Sequence, residues 1–217
     1  MQNKNENGNI APKIGVLALQ GAFIEHVKML KDMGADTREV RLPQDLEGLD
    51  GLIIPGGEST TIGKLMTLYN LIEPIKQFAV QHKPVWGTCA GMILLAKDIG
   101  GLNQPLLDLM DIKVKRNAFG SQLDSFEADI NIAALGAKPF RGVFIRAPYI
   151  EKVGPQAEEL ARLTGEAARQ EQSVNGTGQA VIVAARQDNL LATAFHPELT
   201  GDQRFHRLFL GMVEERR

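Results

Sequence analysis

The chain has a single thiol, Cys89, and it stands in the run Pro84-Val85-Trp86-Gly87-Thr88-Cys89-Ala90-Gly91-Met92. A short apolar stretch ends at Gly87, and a helix-like apolar pattern begins just after Cys89. Gly87-x-Cys89-x-Gly91 is the thiol counterpart of the G-x-S-x-G nucleophile elbow, a sharp strand-to-helix turn. Glycine on each side leaves room for the backbone and exposes the central side chain above the sheet. A helix starting there aims its positive end at the sulfur, where a thiolate is favoured. The chemistry this suggests is nucleophilic catalysis. A lone cysteine also serves as a small buried apolar residue, so the elbow needs a base to complete it.

A base needs a third group to fix its tautomer and orientation. The four histidines are His26, His82, His196 and His206. His26 falls on the first helix, His82 at a helix end and His206 on the last helix, where each reads as a surface or helix-packing residue. His196 differs, because it leaves the apolar run 190–195 and is followed by Pro197 and Glu198. Proline disfavours the α conformation in the residue before it. In extended chain, residues two apart point to the same side, which brings the His196 imidazole and the Glu198 carboxylate together. A carboxylate there accepts the ring N–H and stabilises the imidazolium, the role Asp plays in a serine-protease triad. The alternative is a strand end with an exposed His and Glu.

The elements that must position these groups alternate early in the chain. Residues 13–19 read as a buried strand, 23–33 as a helix ended by Gly34, 37–42 as a strand and 51–54 as another. Ser59 or Thr60 caps a helix to about Tyr69, Pro74 opens one to about Gln81, 85–87 is the strand before the elbow and 90–96 the helix after it. Strands follow at 112–115, 126–132, 142–146, 180–186 and 190–195, the last two joined as a hairpin near Asp188-Asn189. An amphipathic helix around Phe205, Leu208, Phe209 and Met212 closes the chain. Alternating strands and helices imply an α/β fold: one three-layer domain, a flavodoxin-like mostly parallel sheet with helices on both faces and an antiparallel extension. In such sheets ligands bind outside the carboxyl ends of the strands, where Cys89 and the Gly56-Gly57 loop both fall. Residues 1–12 read as a flexible tail, 13–217 as the domain, and 166–179 as a mobile polar loop.

Composition excludes several classes. The formal net charge is −2 over 217 residues, with no basic block for nucleic acid. No apolar run approaches the roughly 18 residues of a membrane span. One cysteine cannot form an intramolecular disulfide, so a cytoplasmic setting is the simplest expectation. The histidines lack ligand-like spacing and there is no second cysteine, so neither a metal site nor a cofactor is expected. Pro55-Gly56-Gly57-Glu58-Ser59 lacks the lysine spacing of a phosphate-binding loop, since Lys64 falls too late.

Read together, these segments resemble the class I, triad-type glutamine amidotransferases. Within them the chain is similar to the glutaminase subunits of pyridoxal 5′-phosphate synthase. The likeness runs from about Ile14 to the last helix. It rests on Gly15-Val16-Leu17-Ala18-Leu19-Gln20-Gly21, Pro55-Gly56-Gly57-Glu58-Ser59-Thr60-Thr61, the elbow, Arg116-Asn117-Ala118-Phe119-Gly120, Asp124-Ser125-Phe126-Glu127-Ala128, Phe144-Ile145-Arg146-Ala147-Pro148 and Phe195-His196-Pro197-Glu198-Leu199-Thr200. The resemblance implies Cys89 as nucleophile, His196 as base and Glu198 as its orienter. It implies a glutamine site lined by Gly57, Glu58, Ser59, Arg116, Ile145 and Arg146. Candidate oxyanion donors are the backbone N–H of Ala90 and one from the Gly56-Gly57 loop, at Gly57. Glu58 could reach the substrate ammonium or simply be solvated, while Arg116 and Arg146 could hold carboxylate or pin loops. The implied partners are L-glutamine and a synthase subunit in a large hetero-oligomer, with ammonia as the product passed on. The alternatives are a glutaminase serving another synthase, such as one in histidine biosynthesis, and a non-catalytic regulatory subunit of the same fold.

Overall fold

The structure, a computed structural model, describes residues 10–116, 125–164 and 181–217. The expected loop at 166–179 lies outside the described residues, as do residues 1–9 of the expected tail. Ala11 is buried, and the Pro12 carbonyl accepts the amide of Asp36 at 2.9 Å.

The first half alternates as expected: β1 (Lys13–Leu17), α1 (Phe23–Asp32), β2 (Asp36–Val40), β3 (Gly51–Ile54), α2 (Ser59–Leu68), α3 (Ile72–Val80), β4 (Val85–Thr88) and α4 (Ala90–Leu95). The second half is mostly strand: β5 (Ala96–Asp98), β6 (Met110–Lys115), β7 (Ser125–Ile130), β8 (Phe140–Ile145), β9 (Tyr149–Val153), β10 (Glu158–Leu163), β11 (Val181–Gln187) and β12 (Leu190–Thr193). Helix α5 (Arg204–Glu214) closes the chain. The main sheet runs β2-β1-β3-β4-β12-β11-β9-β6-β5, with β10 on β11 and a separate β7-β8 pair. Strands β2, β1, β3, β4 and β12 are mutually parallel, which is the flavodoxin-like order with β12 in the fifth place. Beyond β12 the pairing of β11 with β12, β9 and β10 is antiparallel.

Strand β4 lies between β3 and β12, buried on both faces. Trp86 points to the face shared by α1 and α5, where its ring lies 4.9 Å from that of His206 and 5.7 Å from that of Phe209. Side chains alternate along a strand, so Gly87 faces the other way. A Cβ there would meet Gly91 and Leu95 of α4 at 2.5 and 2.8 Å. The missing side chain lets α4 lie directly on the strand, and α2 packs against α4 through Gly63 and Leu94. Phe140, Phe144, Phe195 and Phe205, all fully buried, tie β8, the segment just after β12 and α5 into one aromatic core. Burying side chains of this size stabilises by roughly 2–3 kcal/mol each before entropy is counted.

Three local expectations are corrected. The N-cap of α2 is Glu58, neither Ser59 nor Thr60: its carboxylate accepts the amides of Thr60 at 3.1 Å and Thr61 at 2.7 Å. Helix α3 begins at Ile72, two residues before Pro74, which sits in the first turn where no amide is needed. Strands β5, β9 and β10 join the sheet although no period in the sequence marks them.

Candidate active site

Three adjacent parallel strands deliver the groups of the site from their carboxyl ends. After β3 comes Pro55-Gly56-Gly57-Glu58, after β4 comes Cys89, and after β12 comes His196. Cys89 has φ 47° and ψ −101°, a conformation costly for any residue with a Cβ. Its amide donates to the Thr193 carbonyl at 2.8 Å, which anchors the turn to β12. The cost is borne where the elbow requires it, at the tight passage from β4 into α4. That helix has six residues, short for the dipole expected to act on the sulfur.

His196 is held by its own amide, which donates to the Val143 carbonyl at 2.8 Å. Its Nδ1 lies 2.7 Å from Oε1 of Glu198, and the ring lines the same cavity as Cys89. Since Nδ1 serves Glu198, Nε2 is the nitrogen left for the sulfur. Simple extended alternation is not what joins His196 to Glu198, because Pro197–Leu199 forms one turn of 3-10 helix. That turn folds the carboxylate back under the ring, and Glu198 ends up buried. Burial disfavours charge on His196, but hydrogen bonds to Cys89 and Glu198, with their charges, outweigh it and raise its pKa to about 10. An imidazolium beside a sulfur is the pairing that activates a thiol nucleophile.

Cys89 and His196 open onto a cavity of about 390 Å³. Its walls include the expected Gly57, Glu58, Ser59, Ala90, Arg116, Ile145 and Arg146. Glu198 lies behind His196 and does not line it. Arg146 has φ 42°, so its side chain leaves a strained backbone at the rim. Gln20, Ile93 and Pro148 complete the walls, and sequence reasoning does not find them. Gln20 stands in the sequence as part of a motif segment with no role assigned to it, yet its Oε1 accepts the Glu58 amide at 2.8 Å. Gln104, silent in the sequence, accepts from Ser59, Thr60 and Arg116, the last at 2.7 Å. Of the motif segments, residues 117–120 and Asp124 lie outside the described residues.

Glu58 is more engaged than a solvated loop carboxylate. The Thr61 hydroxyl, against a smaller opposing effect of burial, and the Thr61 and Thr60 amides hold its pKa down at about 2. Its Oε1 also lies 3.4 Å from the Arg116 guanidinium. The glycine pair beside it has a steric reason. A Cβ on Gly56 would stand 2.3 Å from Cε1 of His196, and one on Gly57 would stand 2.5 Å from Oε1 of Gln20. The Gly56 carbonyl accepts the Ala22 amide at 3.0 Å. The two ends of one peptide point in opposite directions, so this bond also fixes the Gly57 N–H. Ala90 is the first residue of α4, where the amide has no acceptor within the helix.

A parallel α/β sheet with a thiol elbow after its central strand is the class I glutamine amidotransferase fold, and a solved glutamine amidotransferase structure superposes with a TM-score of 0.81 at 45% identity, over 93% of this chain and 98% of that one. Another glutamine amidotransferase structure, from Thermotoga maritima, shares the fold alone, with a TM-score of 0.56 at 11% identity over 94% of this chain and 84% of that one. The family model described as SNO glutamine amidotransferase family matches residues 16–215. Pyridoxal 5′-phosphate synthase subunit PdxT of Herpetosiphon aurantiacus is 57% identical over 202 residues, 92% of this chain and 99% of that protein. The protein of the same name from Moorella thermoacetica is 56% identical over 201 residues, 93% and 99%. The chain belongs to the SNO glutamine amidotransferase family.

Proposed function

We propose that the chain hydrolyses L-glutamine to L-glutamate and ammonia at Cys89 and supplies the ammonia to a synthase subunit that makes pyridoxal 5′-phosphate. The observation that carries this is that Cys89 and His196 share the wall of one cavity, with Glu198 behind the ring at 2.7 Å. The thiolate attacks the side-chain amide carbon, and the carbonyl π electrons move to oxygen. The amides of Ala90 and Gly57 are the candidate donors to that oxyanion. Such donors are worth about 3–4 kcal/mol each where mutation has measured them. His196 gives its proton to the leaving nitrogen, the C–N bond breaks, and ammonia departs from a thioester. Water, deprotonated by His196, attacks the thioester, releasing glutamate and the thiol.

Recognition of free glutamine falls to charges at the mouth. Arg116 and Arg146 offer guanidinium groups for the α-carboxylate, and Glu58 offers the negative charge for the α-ammonium. Glu58 does this while capping α2, so its charge and its position have one cause. The Gly56-Gly57 peptide is the element on which partner control acts: turning it breaks the Ala22–Gly56 hydrogen bond and redirects the Gly57 N–H. The oxyanion hole is therefore incomplete until the synthase subunit docks, in a hetero-oligomer.

The test is ammonia release from glutamine with and without the cognate synthase subunit. Cys89→Ala abolishes release while glutamine binding stays measurable. Hydrolysis by that variant sinks the nucleophile assignment, and equal rates with and without partner sink the control by docking.

A further inference from the structure

Behind the carboxylate that orients His196 lies a second pair of imidazoles. His26 on α1 and His206 on α5 are both completely buried and stand 180 positions apart. Nδ1 of His26 lies 2.9 Å from Nε2 of His206. Nε2 of His26 is hydrogen-bonded to Oγ1 of Thr88 at 3.3 Å and lies 3.3 Å from Oε2 of Glu198. Oε1 of Glu198 serves His196, while Oε2 has no hydrogen bond of good geometry among the described residues. His26 is the group that faces it. The edge of Trp86 closes the pair from the side, with its ring 5.7 Å from that of His26 and 4.9 Å from that of His206.

The charge of Glu198 decides which way the protons point. A neutral imidazole has one N–H and one lone pair. If the proton of His26 were on Nδ1, a lone pair would face a carboxylate oxygen in a dry interior, and both repel. With the proton on Nε2, His26 donates toward Oε2, and its Nδ1 lone pair accepts from Nε2–H of His206. That leaves Nδ1 of His206 as the end of the chain. It has no hydrogen-bond partner among the described residues, consistent with a bare lone pair, because a stranded buried donor is the costlier alternative. Burial above all, then repulsion from His206 and His196 when those rings are protonated, pushes the pKa of His26 well below its ordinary value. Burial lowers that of His206 to about 3, so both rings are neutral near pH 7.

We propose that His26, aligned by His206, is a positioning residue that donates its Nε2 proton to Glu198, so that the triad continues as one directed hydrogen-bond chain from His206 to Cys89. The inference rests on the assignment of Cys89, His196 and Glu198 above. Its consequence is that a donor faces the second carboxylate oxygen and opposes rotation of the carboxylate away from His196 during turnover. A neutral donor facing Oε2 also holds the negative charge on Glu198 without neutralising it, which keeps it able to stabilise the His196 imidazolium.

Two measurements test it. Nitrogen-15 histidine spectra of the full chain at pH 7 should show both His26 and His206 as neutral Nε2–H tautomers. An Nδ1–H tautomer at His26, or an imidazolium at either ring, overturns the proposal. The second is turnover in the presence of the synthase subunit. His26→Gln sets an amide N–H near the old Nε2 position, and His26→Asn sets one near Nδ1 only. The Gln variant should keep kcat within about threefold, and the Asn variant should lose about 10- to 100-fold in kcat with little change in KM, the size expected for one hydrogen bond to a charged group. Wild-type turnover in the Asn variant, or equal losses in two folded variants, overturns it. If neither variant folds, the tautomers of the unmodified chain decide alone. Failure of the triad itself would appear separately, as hydrolysis by Cys89→Ala, and would leave the tautomers as they are.

Discussion

Between Gly56 and the imidazole of His196 there is no space for a methyl group. A Cβ at position 56 would lie 2.3 Å from Cε1 and 2.9 Å from Nδ1, and the ring cannot yield freely because Glu198 holds it at 2.7 Å. Gly56→Ala should therefore displace the ring while leaving the sheet intact. A misplacement of about 1 Å costs on the order of 100-fold in turnover, so kcat should fall at least that far with an unchanged melting temperature. Glutaminase activity within about twofold of wild type would show that the ring is not held where the contacts place it. At this scale the sequence exposes the residues whose surroundings are unusual along the chain: Cys89 between two glycines, and His196 before a proline. It does not expose His26 and His206. Both stand on helix faces shared with apolar residues such as Leu30 and Phe209, so they read as surface or packing positions, and the structure buries them. The available signal is a polar ring in an apolar stripe, and its partner, Glu198, is more than 170 positions from His26 and can only be found in space. Gln104 carries no signal at all, and Gln20 only its place in a motif segment, because a glutamine is ordinary in a loop until its oxygen is seen accepting from a site residue.

Strand β4 and helix α4 meet so closely that two glycines form the contact. A Cβ on Gly91 would stand 2.0 Å from the Ile54 carbonyl oxygen and 2.9 Å from its carbon, and backbone of β3 has no rotamer by which to escape. Gly91→Ala should cost about 3 kcal/mol or more, as overpacking against fixed neighbours does. For a domain of this size that lowers the melting temperature by roughly 6–12 °C. Gly211 is the counter-case: it lies inside α5, and a Cβ there meets nothing within 4 Å. Gly211→Ala should stabilise by about 0.5–1 kcal/mol through helix propensity. The two substitutions share one chemistry and are predicted to move thermal melts in opposite directions; the same direction for both would refute the packing argument. Elements with a strong period are readable in advance, including α1, β3, β4 and the hairpin of β11 with β12. Strand β10 is not, because Glu158-Glu159-Leu160-Ala161-Arg162-Leu163 is made of helix-favouring residues and becomes a strand by pairing with β11. Strand β9 is hidden by Pro148 before it and Gly154-Pro155 after it. The cap of α2 falls one residue before the expected one, since Glu is a less common cap than Ser or Thr and wins here because its longer side chain reaches the amides of both Thr60 and Thr61.

The molecule as a whole joins its two ends at the site: α1 from the start of the fold and α5 from its end meet through His26 and His206 beneath Glu198. This arrangement couples the stability of the entire domain to protons. In the native state His206 has a pKa of about 3, and that of His26 is also well below 6.5, in both cases mainly through burial. In the unfolded chain both return to about 6.5. Below pH 6.5 the unfolded state therefore binds up to two protons that the native state refuses, and stability must fall as pH falls. Each such group contributes a slope of about 1.4 kcal/mol per pH unit once the pH is well below 6.5. His196 has the opposite shift, up to about 10. Its contribution is complete well below 6.5, where it is protonated in both states, and is lost as pH rises from there toward 10, so its slope fades out within the acid interval. The carboxylates with lowered values, Glu58, Asp188 and Asp202, come into play only as pH falls toward their unfolded values near 4. The groups facing His26 are Glu198, His206 and, further out, His196; the two buried rings take up protons on unfolding between pH 5 and 6.5, and His196 opposes them only near the upper end of that interval. Denaturant melts of the wild type over that interval should lose stability toward pH 5. In His206→Gln, which keeps an N–H for His26 and removes one titrating ring, the slope should fall to about half. A wild type whose stability is flat from pH 6.5 to 5 would mean that the two rings are not held neutral, and with that the proton direction of the chain beneath Glu198 would be lost.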